Sequence, residues 1–386
     1  MKKSILLASA AAMVASFATS ATAQQVDEIV VTAQKRSENL QEVPISVAAI
    51  TNDLAASAGV RTSEDLRVVV PALDVQRQTG AADIYIRGIG TAGGQAGQGD
   101  AVAGFIGGVY QPSVDGVLFA LNNIERVEVL KGPQGTLYGR NATGGAVNII
   151  LRDPQQDPTM SAEIGYGNLD TVDVNAYISG GLAENVAADL SLYYHDQGKG
   201  FGRNVVTGSD VNKARDVSVR SKLLFTPGDD TRITLGGSYV KTKGSFGIGI
   251  RPGPDSTPLN GQIGFPYGHW DVQSDVDPHT YAKQWNAYGR IEHDFGPAVL
   301  TSITAYGDVK HHEHGDLDLI ELPIIEFPLY SRSQTFTQEL QLASGGGSPI
   351  HGVATRSAHP LMSANVSSSG STKPAIDIHA QCRVTG

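Results

Sequence analysis

The sequence predicts a small α/β domain followed by an incomplete antiparallel transmembrane β-barrel. Three observations predict it: an N-terminal export signal, a Gly-rich stretch of short strands with one brief helix up to Pro154, and runs of about ten residues beyond Pro158 that alternate in polarity without helical periodicity. The chain has 386 residues, 45 Gly and a single Cys, with 40% hydrophobic residues. That is room for two domains and no disulfide framework. A formal net charge of -10 argues against a nucleic-acid partner, because phosphate-backbone affinity comes from clustered Lys and Arg.

The elements follow in order. Met1-Lys2-Lys3, the apolar stretch Ile5 to Val14 and the small-x-small site Ala21-Thr22-Ala23 read as a signal peptide over residues 1–23, cleaved after Ala23. The apolar stretch is too short to cross a bilayer, which takes about 20 apolar residues. Residues 24–42 are polar except for Ile29-Val30-Val31, inside Asp27-Glu28-Ile29-Val30-Val31-Thr32-Ala33. These β-branched residues favour a lone extended strand whose edges can add to another sheet. A disordered mature N-terminus is the alternative.

Residues 43–154 form the first domain. Pro44 to Ile50 alternates as a strand, Thr62 or Ser63 caps a short helix ended by Pro71, and Asp83 to Arg87 is a strand running into Gly88. Residues up to Gly108 are a Gly- and Gln-dense loop, and Val109 to Phe119 is ambiguous. Asn123 to Lys131 alternates charged with apolar residues, so one face is buried and the other presents Glu125 and Lys131. Gly145 to Leu151 is a further strand.

Residues 155–345 read as a partial barrel. Val172, Val174, Ala176 and Ile178 share one face, and Asp173, Asn175 and Tyr177 the other. The pattern recurs with Ala188, Leu190, Leu192 and Tyr194, with Val217, Val219, Leu223 and Phe225, and with Ile233, Leu235 and Tyr239. Tyr281 to Asp294, Ala298 to Asp308 and Thr335 to Leu342 continue it, while Gly244 to Pro278 is a long loop. A water-soluble β-sandwich also alternates and remains open on pattern alone. By this reading about eight strands precede Gly345, too few to close a barrel. Residues 346–386 lose the alternation and are expected to be an aberrant or disordered tail from a shifted reading frame.

Several motifs fail on context. Gly88-Ile89-Gly90-Thr91-Ala92-Gly93 matches a dinucleotide fingerprint but opens no helix. The glycines from Gly132 to Gly139 lack the Lys-Ser/Thr ending of a phosphate loop; they suit positive-φ turns and close approach to a barrel wall. His312 and His314 share a strand face beside His311 and Glu313, but no second ligand group stands at diagnostic spacing. Asn141-Ala142-Thr143 is a chance glycosylation match. No catalytic constellation is visible, and no cofactor is expected.

The stretch from Ile124 to Ile150, IERVEVLKGPQGTLYGRNATGGAVNII, resembles the plug signature of TonB-dependent receptors. Its characteristic positions here are Glu125, Arg126, Glu128, Gly132, Pro133, Gly135, Tyr138, Gly139, Arg140, Asn141, Gly144 and Gly145. Ile84 to Gly90, with Arg87 and Gly88, is similar to the family's earlier plug motif. Asp27, Glu28, Ile29, Val30, Val31, Thr32 and Ala33 resemble its TonB box, and Gln338-Glu339-Leu340 a barrel-strand motif. The resemblance implies a plug inside a barrel of about 22 strands in the Gram-negative outer membrane, in contact with its lipid. It implies import of a scarce ligand such as a ferric siderophore, powered through TonB by strand addition of the box. It also makes Arg87, Arg126 and Arg140 candidates for charge contacts with barrel carboxylates such as Glu339. Gly107 departs from the family, which commonly has Asp there. The competing classes are a periplasmic interaction or signalling module without a closed pore, and a secreted β-rich enzyme.

Overall fold

The computed structural model describes residues 29–36, 38–78, 81–91, 100–111, 121–139, 141–245, 267–316, 320–323, 326–344 and 353–358. The expected signal peptide with Ala23, together with Asp27, Glu28 and Arg140, lies outside these residues. The chain opens with a small hairpin of β1 (Val30–Val31) and β2 (Glu38–Asn39). Then come β3 (Val47–Thr51), helix α1 (Asn52–Ser57) and a second helix α2 (Leu66–Val69) that stops before Pro71. The Thr51 hydroxyl accepts from the Leu54 amide at 3.3 Å and starts α1. The strands β4 (Leu73–Gln78), β5 (Ala81–Ile86) and β6 (Ile89–Gly90) form a three-stranded sheet.

The centre of the first domain is a five-stranded sheet in the order β3-β9-β10-β7-β8. It adds β7 (Val102–Ile106), β8 (Val109–Gln111), β9 (Ile124–Lys131) and β10 (Gly145–Leu151), with the short helix α3 (Gly135–Tyr138) between the last two. Only β7 and β10 pair in parallel. The expected one-sided alternation of β9 does not hold. Glu125 is exposed, but Val127, Glu128, Val129 and Leu130 are all buried, because the sheet is covered on both faces. Val127 and Val129 pack with Ile50, Leu66 and Ile86 in one core, and Leu130 with Val31, Phe105 and Tyr138 in another.

Gly107 and Gly108 link β7 to β8 with φ of 58° and 82°. Two consecutive positive-φ residues make the hairpin turn that Gly, Asn and Asp favour, so Gly107 suits the same backbone as an Asp would. In the Gly-rich loop Gly132 and Gly139 hold positive φ in open turns. A Cβ on Gly145 would meet the Leu130 carbonyl at 2.2 Å. The close approach there is to the domain's own strand, not to a barrel wall.

The second part is a nine-stranded antiparallel sheet among the described residues, ordered β11-β12-β13-β16-β17-β18-β19-β20-β21. Its strands are β11 (Thr159–Gly167), β12 (Thr171–Ala183), β13 (Val186–Gln197), β16 (Ala214–Gly228), β17 (Thr231–Gly244), β18 (His279–Asp294), β19 (Ala298–Asp316), β20 (Glu326–Ser344) and β21 (Val353–Ala358). The last of these pairs with β20 inside the stretch read as a tail without strands, since pairing needs only an extended backbone and not alternation. β19 and β20 also outrun their expected bounds, because Lys310 to Asp316 carries too many polar residues to alternate.

Burial decides between a sandwich and a membrane barrel. Along β13, Asp189 and Ser191 are buried while Leu190 and Leu192 are exposed, and Ile178 and Leu235 are 53% and 54% exposed. Ser218, Arg220 and Lys222 are buried in β16. A soluble sandwich buries its apolar face; here the apolar face is outside and the polar face is covered by the first domain. Lumen contacts fix that domain in place. Arg220 donates to the Asn122 side-chain oxygen at 2.6 Å, and the Asn122 amide donates to Ser191 at 3.0 Å. Lys222 donates to the Arg152 carbonyl and lies 3.3 Å from Asp153. Gly236 leaves room for Tyr288, whose ring would lie 2.3 Å from a Cβ there.

At the end away from the tight turns, two loops interlock. The hairpin of β14 (Gly202–Arg203) and β15 (Asp210–Val211) sits against residues 267–278, and Asp277 accepts from Thr207, Ser209 and the fully buried Asn204 at 2.5, 2.7 and 3.0 Å. Burial works against the charged form of Asp277, but these three donors outweigh it and hold the carboxyl below its ordinary value.

Two outcomes follow from this architecture. Leu190→Arg puts a charge on the outward face and should cost roughly 2–4 kcal/mol near the bilayer midplane, read from denaturant unfolding in lipid. Asp277 has a depressed folded pKa, so its contribution is present above the unfolded value of about 3.9 and is lost as pH falls through the folded one. Asp277→Asn should therefore speed proteolytic nicking within residues 198–278 at pH 7, and the difference from the parent should shrink in acid.

Candidate functional site

The sequence-expected strand Ile29-Val30-Val31 has its free edge taken up. Val30 and Val31 pair with Asn39 and Glu38, and the Leu40 amide donates to the Ile29 carbonyl at 2.9 Å. Lys35 turns the hairpin with φ of 62°. Val31 and Ala33 are wholly buried, so the segment is seated in the first domain rather than extended from it.

A fully buried carboxylate holds it there. Glu128 accepts from the Thr32 amide at 2.8 Å and from the Thr32 hydroxyl at 3.2 Å, and it receives Arg126 Nε at 2.8 Å and Asn148 Nδ2 at 3.4 Å. The β9-β10 register places Glu128 directly opposite Asn148, which is why both reach one point. Tyr138 donates its hydroxyl to the Ala33 carbonyl at 3.1 Å. Burial, with the Glu128 and Glu339 carboxylates nearby, pushes the Tyr138 phenol well above its ordinary value, so it stays a neutral donor.

The second grip comes from the large sheet. Lys35 Nζ lies 3.1 Å from Glu339 Oε1, and 4.8 Å from the ring centres of both Phe105 and Tyr138. Glu339 faces the lumen and also accepts from Gln341 at 2.9 Å. Among the described residues Lys35, and neither Arg87 nor Arg126, meets Glu339, while Arg140 lies outside them. Arg126 binds Glu125 and Glu128 within its own domain, and Arg87 donates to Ser46 at 3.1 Å. Lys35 meets Glu339 because the hairpin carries it past the edge of the plug, a reach that no local pattern encodes. Beside the segment lies a cavity of about 1030 Å³ lined by Lys35, Arg126, Arg232, Arg290 and Glu292, open at the tight-turn end of the strands.

The remaining motif residues form the loop around this seat. Gly132, Pro133, Gly135, Gly139, Asn141, Gly144 and Gly145 shape the connection from β9 to β10, and Asn141 Nδ2 donates to the Tyr110 hydroxyl at 2.8 Å. Gly88 turns β5 into β6 with φ of 78°. The histidine stretch divides between faces: His311 and Glu313 are buried toward the lumen, while His312 stacks on Tyr330 at 4.0 Å outside. Sequence reasoning missed Lys35, Asn122, Arg220 and Lys222. Strand parity places Arg220 and Lys222 on the polar face with Asp216 and Ser218, but names no partner for them.

Comparison with known proteins agrees with this arrangement. Residues 39–146 match the family described as TonB-dependent Receptor Plug Domain. The chain is similar to the pesticin receptor of Yersinia pestis, 30% identical over 213 residues, covering 54% of this chain and 31% of the relative. It is 26% identical to the rhizobactin receptor of Rhizobium meliloti over 75% of this chain and 41% of that one. The chain thus spans less than half the length of these relatives. Among solved structures, the ferric yersiniabactin uptake receptor of Yersinia pestis superposes with a TM-score of 0.67 at 21% identity, covering 84% of this chain and 50% of that one. The ferripyoverdine receptor of Pseudomonas aeruginosa, bound to ferripyoverdine, gives 0.71 at 19% identity, covering 86% and 44%. Residues 39–146 thus carry the plug domain of TonB-dependent receptors, and the antiparallel sheet that follows shares the fold of outer-membrane receptors.

Proposed function

We propose that the chain carries the plug, coupling segment and leading barrel strands of a receptor that imports a scarce ligand, a ferric siderophore, with energy supplied through TonB. The observation that carries this reading is the docked segment. A strand that pairs with a partner must have a free edge, and here Val31 and Ala33 are buried with Thr32 fixed to Glu128. Release therefore precedes pairing.

The strength of the dock suits a reversible latch. A hydrogen bond to a charged group contributes about 1.5–3 kcal/mol and a neutral one about 1 kcal/mol, so Thr32–Glu128, Tyr138–Ala33 and Lys35–Glu339 together amount to a few kcal/mol. Binding that rearranges the plug can offset that much, and work delivered by a partner exceeds it. Structural neighbours that take up ferric yersiniabactin and bind ferripyoverdine support an iron chelate as the ligand class. A relative named as a vitamin B12 transporter in Vibrio vulnificus, 28% identical, makes cobalamin the comparison ligand for the assay.

Deleting residues 27–33 from the receptor should leave binding of a labelled ferric chelate intact and abolish its uptake by cells. Unchanged uptake would remove the energy-coupling role from this segment. Glu339→Gln leaves Lys35 without its ion pair and should raise the rate at which Val31→Cys reacts with an aqueous thiol reagent. An unaltered rate would mean that the Glu128 seat alone sets the latch.

A further inference from the structure

Three histidines meet on the outer wall of the large sheet, at the end away from the tight turns. His312 and His314 stand two residues apart on β19 and therefore share a face. Strand register sets His279, the first residue of β18, directly opposite His314, and Tyr281 opposite His312. The fold thus supplies a third imidazole that spacing along the chain does not show. The His279 ring centre lies 5.1 Å from that of His312 and 5.2 Å from that of His314, with the planes steeply inclined in both pairs.

Those separations are the ones a shared metal ion imposes. A Zn–N bond of about 2.0–2.1 Å puts the ion about 3.2 Å from each ring centre, so two imidazoles at the tetrahedral angle have ring centres about 5.2 Å apart. Directly opposed Cβ atoms on antiparallel strands are about 4.5–5.5 Å apart and diagonal ones about 7–8 Å, still within reach of aromatic side chains. Among the described residues no three ligating groups already converge on one point. Closure takes a turn of the rings, and His279 stands exposed at the end of its strand, where it can turn.

The outer contacts of the rings suit ligation. A metal-bound imidazole has its other nitrogen held by a carbonyl or a carboxylate, which fixes the tautomer and orients the ring. His279 Nδ1 lies 3.3 Å from the Asp277 carbonyl oxygen, which leaves Nε2 for an ion. His314 Nε2 lies 3.0 Å from Glu326 Oε2, which leaves Nδ1. His312 is braced by the Tyr330 ring, stacked on it at 4.0 Å with 12° between the planes. Imidazole ligands suit zinc, copper and nickel, whereas calcium and magnesium take oxygen.

An aqueous ion reaches this place. From Asp294 at the tight turn to His279, β18 runs 16 residues, roughly 50 Å along its axis. At a tilt of about 40° that is about 38 Å of height, well past the apolar band of about 25 Å.

We propose that His279, His312 and His314 form a binding site for a divalent transition-metal ion of the zinc class, with Glu326 orienting His314 and the fourth position open to water. A bound ion ties the start of β18 to the end of β19, and so clamps the strand ends from which the connections before β18 and after β19 leave. The site lies outside the lumen and away from the plug, and does not depend on which ligand is imported.

The test uses the full chain folded in detergent micelles, with Zn2+ alone as the probe. Carbethoxylation of histidines, mapped peptide by peptide, reads the site before any substitution is made. With Zn2+ at roughly ten times its dissociation constant, modification of His279, His312 and His314 should slow roughly tenfold by mass action. His195 and His293, which lie elsewhere on the sheet, should react as before, and Mg2+ should protect none of the five. Glu326→Gln should raise the Zn2+ concentration that half-protects His312 and His314 roughly 10–100-fold, the usual cost of losing an orienting partner. His279→Gln, which removes a ligand outright, should raise it at least as far. Equal modification of the three histidines with and without Zn2+ overturns the proposal, as does equal protection by Mg2+. So does an unshifted midpoint in His279→Gln, which would mark a two-histidine site on β19 alone.

Discussion

One buried carboxylate organises the functional end of the molecule. Glu128 is fully enclosed and takes donors from three directions: Arg126 on its own strand, Asn148 on the neighbouring one and Thr32 on the N-terminal hairpin. An isolated carboxylate in such a place would be strongly destabilising, so its partners are as necessary as the group itself. Any conformation in which Thr32 leaves must supply another donor or admit water. The plug and its leading segment are therefore linked through the hydrogen-bonding needs of a single side chain.

The same logic sets the fit between plug and sheet. The lumen face presents Asp189, Ser191, Ser218, Arg220 and Lys222, groups that cannot be left dry and unsatisfied. The plug answers with Asn122, the Arg152 carbonyl and Asp153, polar atoms at its own rim. Among the described residues apolar contact joins the two where Val109 packs with Ile303, Ala305 and Tyr288 and where Val240 meets the plug core. A plug held mainly by polar atoms can be re-wetted one contact at a time, unlike one sealed by a greasy core.

How much of this is legible in the sequence differs by element. The two faces of the large sheet are readable because period-2 alternation is local, as Leu190 and Leu192 show, but which face turns outward is decided only by burial in the folded sheet. The plug signature is readable through resemblance, and Glu128 belongs to it. What residues cannot show in one dimension is long-range pairing. Lys35 and Glu339 are brought together only by the folded hairpin and the curve of the sheet. The alignment of Lys241, Lys283 and Lys310 is also invisible in the chain, since it exists only once the register of two strand pairs, β17-β18 and β18-β19, is fixed. The two-sided burial of β9 escaped for a similar reason, as its alternation of charge mimics a half-exposed strand.

The interlocked loops have a consequence for how such receptors diversify. Asp277 belongs to one connection, while its donors Asn204, Thr207 and Ser209 belong to another. Gly202 packs so closely on the Trp270 backbone that a larger residue there would displace it. A change of length or composition in either connection breaks the other, so new binding surfaces at this end have to be acquired by exchanging both connections as one inherited unit.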